Sequence, residues 1–243
     1  MARDNLHVHY SAEAYDRYTE RSVETYDDGM IRRLRLEEKL RRRQPRVLVD
    51  VGTGTAQLLI KIARCPELAH YRLIGTDFFS DMIATAEEAV AKQKLEDRIE
   101  IEYADVHDLP YEEGFADTVI SRSTIHHWAD PVQALREIYR VLKPEGIAII
   151  HEPRRDPDPE ALADFNRRRA EQGVEPARLD EKFTPGEVQE FINQAGLRKQ
   201  CIVSAPRRGP SSLGFEVRMS KCHVAKVWLV SCIAKARCAA NFW

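Results

Sequence analysis

From Arg46 onward the chain alternates short β-branched runs with longer amphipathic stretches, and this rhythm narrows its folds more than any other feature. The runs are VLVDV at 47–51, RLIGTD at 72–77, IEIEYAD at 99–105, DTVISR at 117–122 and GIAIIHE at 146–152. Strands separated by helical segments signal an α/β fold, a mainly parallel sheet wrapped by helices. A helix is expected over 80–94, with Ser80 as cap and Met82, Ile83, Ala86 and Val90 on the buried face. A second is expected over 131–142, closed by Lys143-Pro144-Glu145-Gly146, where proline and glycine forbid continuation.

The flanks read differently. Residues 1–45 are polar, with Tyr10, Tyr15, Tyr18, Ile31, Leu34 and Leu40 at helix-like spacings, and are expected to form a helical N-terminal cap. Residues 46–221 make the main domain, interrupted at 153–183 by a hydrophilic insertion expected to cover one edge of the sheet. Thr184 caps the next helix, Pro185 occupies its first turn and Gly196 ends it. Residues 198–205 and 214–220 alternate like an antiparallel strand pair. The tail, 222–243, is expected to be helical through Val224, Val227, Trp228 and Ile233, packing on the domain or on a second copy of the chain as a homodimer.

Charge and cysteine usage exclude several classes of partner. Lys and Arg number 37 against 39 Asp and Glu, a formal net charge of −2, so no global field favours nucleic acid or an anionic membrane. A small molecule is the better default. No run reaches the roughly 20 apolar residues of a membrane span, and the first ten residues lack the apolar core of a secretory signal, so a cytoplasmic protein is expected. The five cysteines contain no C-x-x-C and read as reduced thiols, with no metal expected. A thiol site built from Cys222, Cys232 and Cys238 for a metal or metalloid such as arsenite is the sharper alternative.

Four constellations carry chemistry. Asp50-Val51-Gly52-Thr53-Gly54-Thr55-Ala56 stands where the first strand ends and a helix begins, and small residues there let the backbone approach a ligand. A dinucleotide fingerprint would need glycine at Gln57, which weakens an NAD-linked oxidoreductase. Asp77 closes the second strand about 20 residues further on, placed to accept both hydroxyls of a ribose, and Phe78 beside it can cover a base. An Asp after a strand can also simply cap a helix; its register with the glycine turn favours the ribose. Asp105-Val106 closes the third strand, with Asp108 before Pro110 reading as a turn starter. The fourth is the run 115–128, FADTVISRSTIHHW, followed by Asp130-Pro131 and by RVLKPEG at 140–146.

In order and spacing these motifs resemble the class I S-adenosylmethionine-dependent methyltransferases, and closely their small-molecule branch, which includes enzymes of quinone biosynthesis. The resemblance covers about 47–152 and implies a Rossmann-like seven-stranded sheet ending in an antiparallel strand, with S-adenosylmethionine as cofactor and S-adenosylhomocysteine as product. It places Asp50, Gly52 and Gly54 on the methionyl part, Asp77 and Phe78 on the adenosine, and Asp105 and Val106 on the adenine edge. Ser121 and Arg122, on the loop facing the methyl group, join this set, and Tyr10 and Tyr18 stand as candidates for a lid. His126 is the candidate base, with positioning of its neighbours as the other reading.

The acceptor is expected to be a small molecule. Ser121-Arg122-Ser123-Thr124 stands where the nucleic-acid amino methylases of the family carry Asn/Asp-Pro-Pro-Tyr. Arginines 154, 155, 167, 168, 169, 207 and 208 lean towards an acidic substrate, although most alternate with carboxylates and can simply solvate a surface. A cofactor-binding module without methylation activity is the alternative from another class.

Overall fold

The computed structural model describes residues 24–39, 46–171 and 173–221; Tyr10, Tyr18 and the tail with Cys222, Cys232 and Cys238 lie outside the described residues. Seven strands form one sheet: β1 (Arg46–Val51), β2 (Tyr71–Asp77), β3 (Ile99–Tyr103), β4 (Ala116–Arg122), β5 (Leu142–Pro153), β6 (Cys201–Ser204) and β7 (Gly214–Ser220). Their order is β3-β2-β1-β4-β5-β7-β6. The first five run parallel, and β7 runs antiparallel to both β5 and β6. Reversal of strand order between β1 and β4 opens a crevice beyond their carboxyl ends, the place where such sheets bind ligands.

Helices cover both faces because successive strand residues point to opposite sides. Val49, Val51, Val119, Ala148, Ile150 and Val217 meet α4 (Pro131–Val141) and α6 (Pro185–Gln194) through Leu135, Ile138, Val188 and Ile192. Leu48, Leu73, Ile120, Ile147 and Ile149 meet α1 (Glu24–Lys39), α2 (Gln57–Ala63) and α3 (Ser80–Lys92) through Met30, Leu34, Leu59, Ile62, Ala86 and Val90. The helix α5 (Pro159–Glu171) belongs to the segment between β5 and α6.

Local chemistry explains the helix starts. Asp130 caps α4 by accepting from the Val132 and Gln133 amides, with Pro131 in the first turn. Thr184 and Glu187 form a reciprocal capping box on α6.

Two expectations need correction. Ser80 is the first residue of α3 and not its cap, because the Phe79 amide donates to Asp77 Oδ1 at 3.0 Å and the chain turns one residue earlier. Segment 143–146 does not separate a helix from a strand: Leu142 already pairs with Ala116, and pairing resumes at Thr118 with Ile147. The excess residues form a bulge with Glu145 at φ 66° and Gly146 so enclosed that a Cβ would sit 2.8 Å from the Lys143 carbonyl oxygen. At the two ends of the segment 153–183, the Arg154 amide donates to the Leu213 carbonyl and Lys182 reaches His126 beyond β4.

Candidate functional site

The turn after β1 is held by its neighbour strand. The Gly52 and Thr53 amides donate to the Thr76 carbonyl at 2.8 and 2.9 Å, and the Gly54 amide donates to Asp77 Oδ2 at 2.9 Å. Gly52 adopts φ 74°, and a Cβ there would lie 2.4 Å from Thr124 Cγ2, so only glycine lets the β1 turn and the β4 loop touch. Asp77, buried at the end of β2, thereby ties the glycine turn to the start of α3. Burial raises its carboxyl, opposed by the Phe79, Gly54 and Phe78 amides.

Asp50 is buried beneath the same turn and accepts from Thr53 Oγ1 at 3.0 Å. Desolvation dominates and pushes its carboxyl up to about 7, against the Thr53 hydrogen bond and the charge of Arg122. Arg122 is itself turned to α1, its Nε 3.1 Å from Asp27 Oδ1, while Lys61 Nζ holds Asp27 Oδ2 at 2.7 Å. Two fully buried acids thus share this corner with two cations. Asp27 escaped sequence reading, although a carboxylate three residues before Met30 and seven before Leu34 sits within their apolar stripe.

Asp105 and Val106 follow β3. Asp105 is half-buried and binds the His107 amide and Nδ1 through one oxygen. His107 Nε2 accepts from the Asp130 amide at 3.0 Å, so its proton resides on Nδ1, towards Asp105. Phe78 and Tyr103, 49% and 60% exposed, face each other at 5.6 Å between ring centroids beside this acid. Tyr103 was not singled out in the sequence; its signal is an aromatic residue at the carboxyl end of a strand. Asp108 is exposed and pairs with Asp105 through backbone.

The β4 loop is the most tightly held part. Ser121 is buried, its hydroxyl bonded to the Val51 carbonyl at 2.8 Å and to Thr124 Oγ1. His126 Nδ1 contacts Glu152 Oε1, whose other oxygen accepts from the Ile125 amide at 3.2 Å. Lys182 Nζ lies 2.6 Å from His126 Nε2. Both imidazole nitrogens of His126 are therefore engaged, and its side chain is 2% exposed.

Asp50 and Asp77 lie in the last residues of β1 and β2, the glycine turn, Phe78, Asp105 and Val106 just beyond the carboxyl ends of β1, β2 and β3; Ser121 and Arg122 are the last two residues of β4 and not part of the loop after it, where His126 stands. A buried acid near neutrality, a glycine turn, a carboxylate at the end of β2 and an exposed aromatic pair stand together at these strand ends, groups that suit a cationic nucleoside. That is the chemistry of S-adenosylmethionine. Residues 49–150 match a family model described as a methyltransferase domain.

Over this stretch the chain is similar to methyltransferase domains. It is 33% identical over 106 residues to a ubiquinone/menaquinone biosynthesis C-methyltransferase of Geotalea daltonii, covering 43% of this chain and 44% of that protein. A protein of the same description from Geobacter sulfurreducens is 36% identical over 107 residues, covering 43% and 41%. The chain thus spans less than half the length of these curated relatives in the matched region. In fold, it superposes on a SAM-dependent methyltransferase from Aquifex aeolicus with TM-score 0.64 and 18% identity, over 87% of this chain and 99% of that one. Among the described residues, no helix is long and apolar enough to cross a membrane, and no group of three or more His, Cys, Asp or Glu could hold a metal. Cys65 and Cys201 are free, and burial pushes the Cys201 thiol up to about 12.

Proposed function

We propose that this protein transfers a methyl group from S-adenosylmethionine to a small-molecule acceptor in the cytoplasm. The observation that carries the reading is the convergence of Asp50, the Gly52–Gly54 turn and Asp77 at the carboxyl ends of β1 and β2 within the matched methyltransferase domain. An NAD-linked oxidoreductase loses ground: Gln57, in place of the third glycine, opens α2, and the matched model describes another chemistry. The near-zero net charge supports a small acceptor over a nucleic acid.

The cofactor, when bound, supplies an electrophilic methyl on a sulfonium. The chain's residues then do the rest. Asp50 meets the cofactor ammonium, Asp77 accepts from the ribose hydroxyls with the lone pairs left by the Gly54 and Phe79 amides, and Phe78 and Tyr103 cover the base. Asp105 and the Val106 amide read its edge. Holding acceptor and methyl in line supplies about 7 to 11 kcal/mol of such a barrier, so a base is not required. With Nε2 bonded to Lys182, His126 acts by position.

Calorimetry with S-adenosylhomocysteine tests this reading. Wild-type protein is expected to bind, Asp77→Ala and Asp105→Ala to bind roughly 10- to 100-fold more weakly, and Asp108→Ala to remain close to wild type. Binding of NAD in place of the thioether, or unchanged affinity in both folded variants, overturns it. Turnover on a metabolite panel separates an enzyme from a silent binding module.

A further inference from the structure

Glu152, His126 and Lys182 form a line that the cofactor site does not use. Glu152, at the end of β5, is fully buried and is linked to the Lys182 ammonium through the imidazole of His126. An ammonium can only donate, so Nε2 accepts from Lys182 and the ring proton stays on Nδ1, towards Glu152. Lys182 approaches from the segment between β5 and α6, 56 residues along the chain from His126, and its carbonyl is anchored by Arg155 Nη1 at 3.1 Å. Its side chain is 12% exposed. One ammonium proton goes to His126 and one points weakly to Glu181 Oε1 at 3.4 Å, which leaves a third donor. His127, exposed, stands beside it with its ring centroid 3.9 Å from that of His126.

Building this line has a cost that packing alone does not require. A buried carboxylate, a fully engaged imidazole and a nearly buried ammonium must all be desolvated, and apolar residues would fill the space more cheaply. The line lies at the carboxyl ends of β4 and β5, the side on which open sheets of this kind bind ligands. We infer that Lys182 binds the acceptor, selecting one that presents an anionic oxygen next to the atom to be methylated, and that His126 and Glu152 are positioning residues that aim its ammonium. This rests on the methyltransferase reading and adds the acceptor's chemistry to it. The free donor of Lys182 bonds the oxygen anion, and Glu152, working through His126, keeps the ammonium directed.

The test uses the full chain loaded with S-adenosylhomocysteine, whose own affinity is measured first. Failure of that first binding strikes the methyltransferase reading and leaves the second stage to speak for Lys182 alone. The probes are para-nitrophenolate, at a pH where the phenol is ionised, and its uncharged ether para-nitroanisole. The phenolate is expected to bind roughly 10- to 100-fold more tightly than the ether, the range of a charge-assisted hydrogen bond. Lys182→Met is expected to abolish that preference while the ether and S-adenosylhomocysteine bind as before, and Lys182→Arg to retain most of it. His126→Phe, which leaves the ammonium unaimed, is expected to reduce the preference without changing affinity for the ether. Equal binding of the two probes by the wild type, absence of phenolate binding, or a preference that survives in Lys182→Met overturns the inference. The comparison of probes on the wild type stands even if a variant fails to fold.

Discussion

Asp50 links proton binding to ligand binding at one residue. Its carboxyl is pushed up to about 7 in the folded protein by burial, whereas the unfolded chain ionises it near the ordinary carboxylate value of about 3.9. The folded state therefore holds a proton that the unfolded state has lost, and stability falls as pH rises from about 4 to about 7. The full effect is about 4 kcal/mol, and Asp50→Asn should flatten that slope in thermal melts across this range. A cationic ligand reverses the preference. S-adenosylhomocysteine, carrying the same ammonium, should bind more tightly as pH rises through 7 and release close to one proton below it, seen as a buffer-dependent binding enthalpy. A second residue-scale prediction concerns Gly52. Gly52→Ala should destabilise by about 2 to 4 kcal/mol, from the left-handed backbone and the collision with Thr124 together. Adding Thr124→Ser removes the colliding methyl but keeps the hydroxyl that meets Ser121, so the pair should recover part of the loss, leaving the backbone term.

At the scale of elements, α1 is fastened to the far side of the sheet by charge. Glu37 receives Arg218 Nε and Nη2 of β7 at 3.0 and 3.1 Å and Arg33 Nη2 at 3.2 Å, while Arg33 Nε also reaches Glu216 at 3.3 Å. Every one of these side chains is nearly buried. Removing one partner strands the rest, so Glu37→Ala should cost about 3 to 5 kcal/mol in denaturant melts. The double variant Glu37→Met with Arg218→Met should cost less than the sum of the single changes. Burial pushes Glu216 up, but the His151 hydrogen bond and the charges of Arg33 and Arg218 outweigh it and hold its carboxyl below the usual range. Its contribution is present above about pH 4.3 and is lost as pH falls through the lowered value, an acid-side loss that Glu216→Gln should remove. These contacts also show where sequence reading stops. The cores of β1, β2 and β4 were legible because their apolar runs are buried on both faces, and the α6 cap because Thr184 and Glu187 lie within one turn. Arg218 and Glu37 are separated by 181 positions, and no local pattern pairs them.

For the whole molecule, binding and folding report on the same site. At a hundred times its dissociation constant, S-adenosylhomocysteine should add about 2.7 kcal/mol to stability, or roughly 5 to 10 °C for a chain of this size. NAD at equal concentration should leave the melting temperature unchanged, and differential scanning fluorimetry compares the two directly. The candidate site divides in legibility just as the fold does. Asp50, Gly54 and Asp77 could be read because each stands at or just past a strand end in fixed succession, and the structure joins the last two by a hydrogen bond. The engaged Nε2 of His126 was not legible, since Lys182 lies 56 positions away in a hydrophilic stretch that resembles any solvated surface. Asp27 was passed over for the same reason in reverse: its partners Lys61 and Arg122 come from later in the chain.

The sheet order also dictates how this protein can be made on a ribosome. β7 is the last described strand to leave the exit tunnel, yet it lies inside the sheet, between β5 and β6. Until residues 214–220 emerge, β6 has no hydrogen-bonding partner and β5 presents seven positions of unpaired backbone along its outer side. Glu216 and Arg218 arrive with that same strand, so α1 too waits for its anchors. A nascent chain stalled ahead of Gly214 is thus an open edge searching for a strand, the condition in which chains join one another. Synthesis of β7 pairs that open edge and brings in the anchors of α1 together.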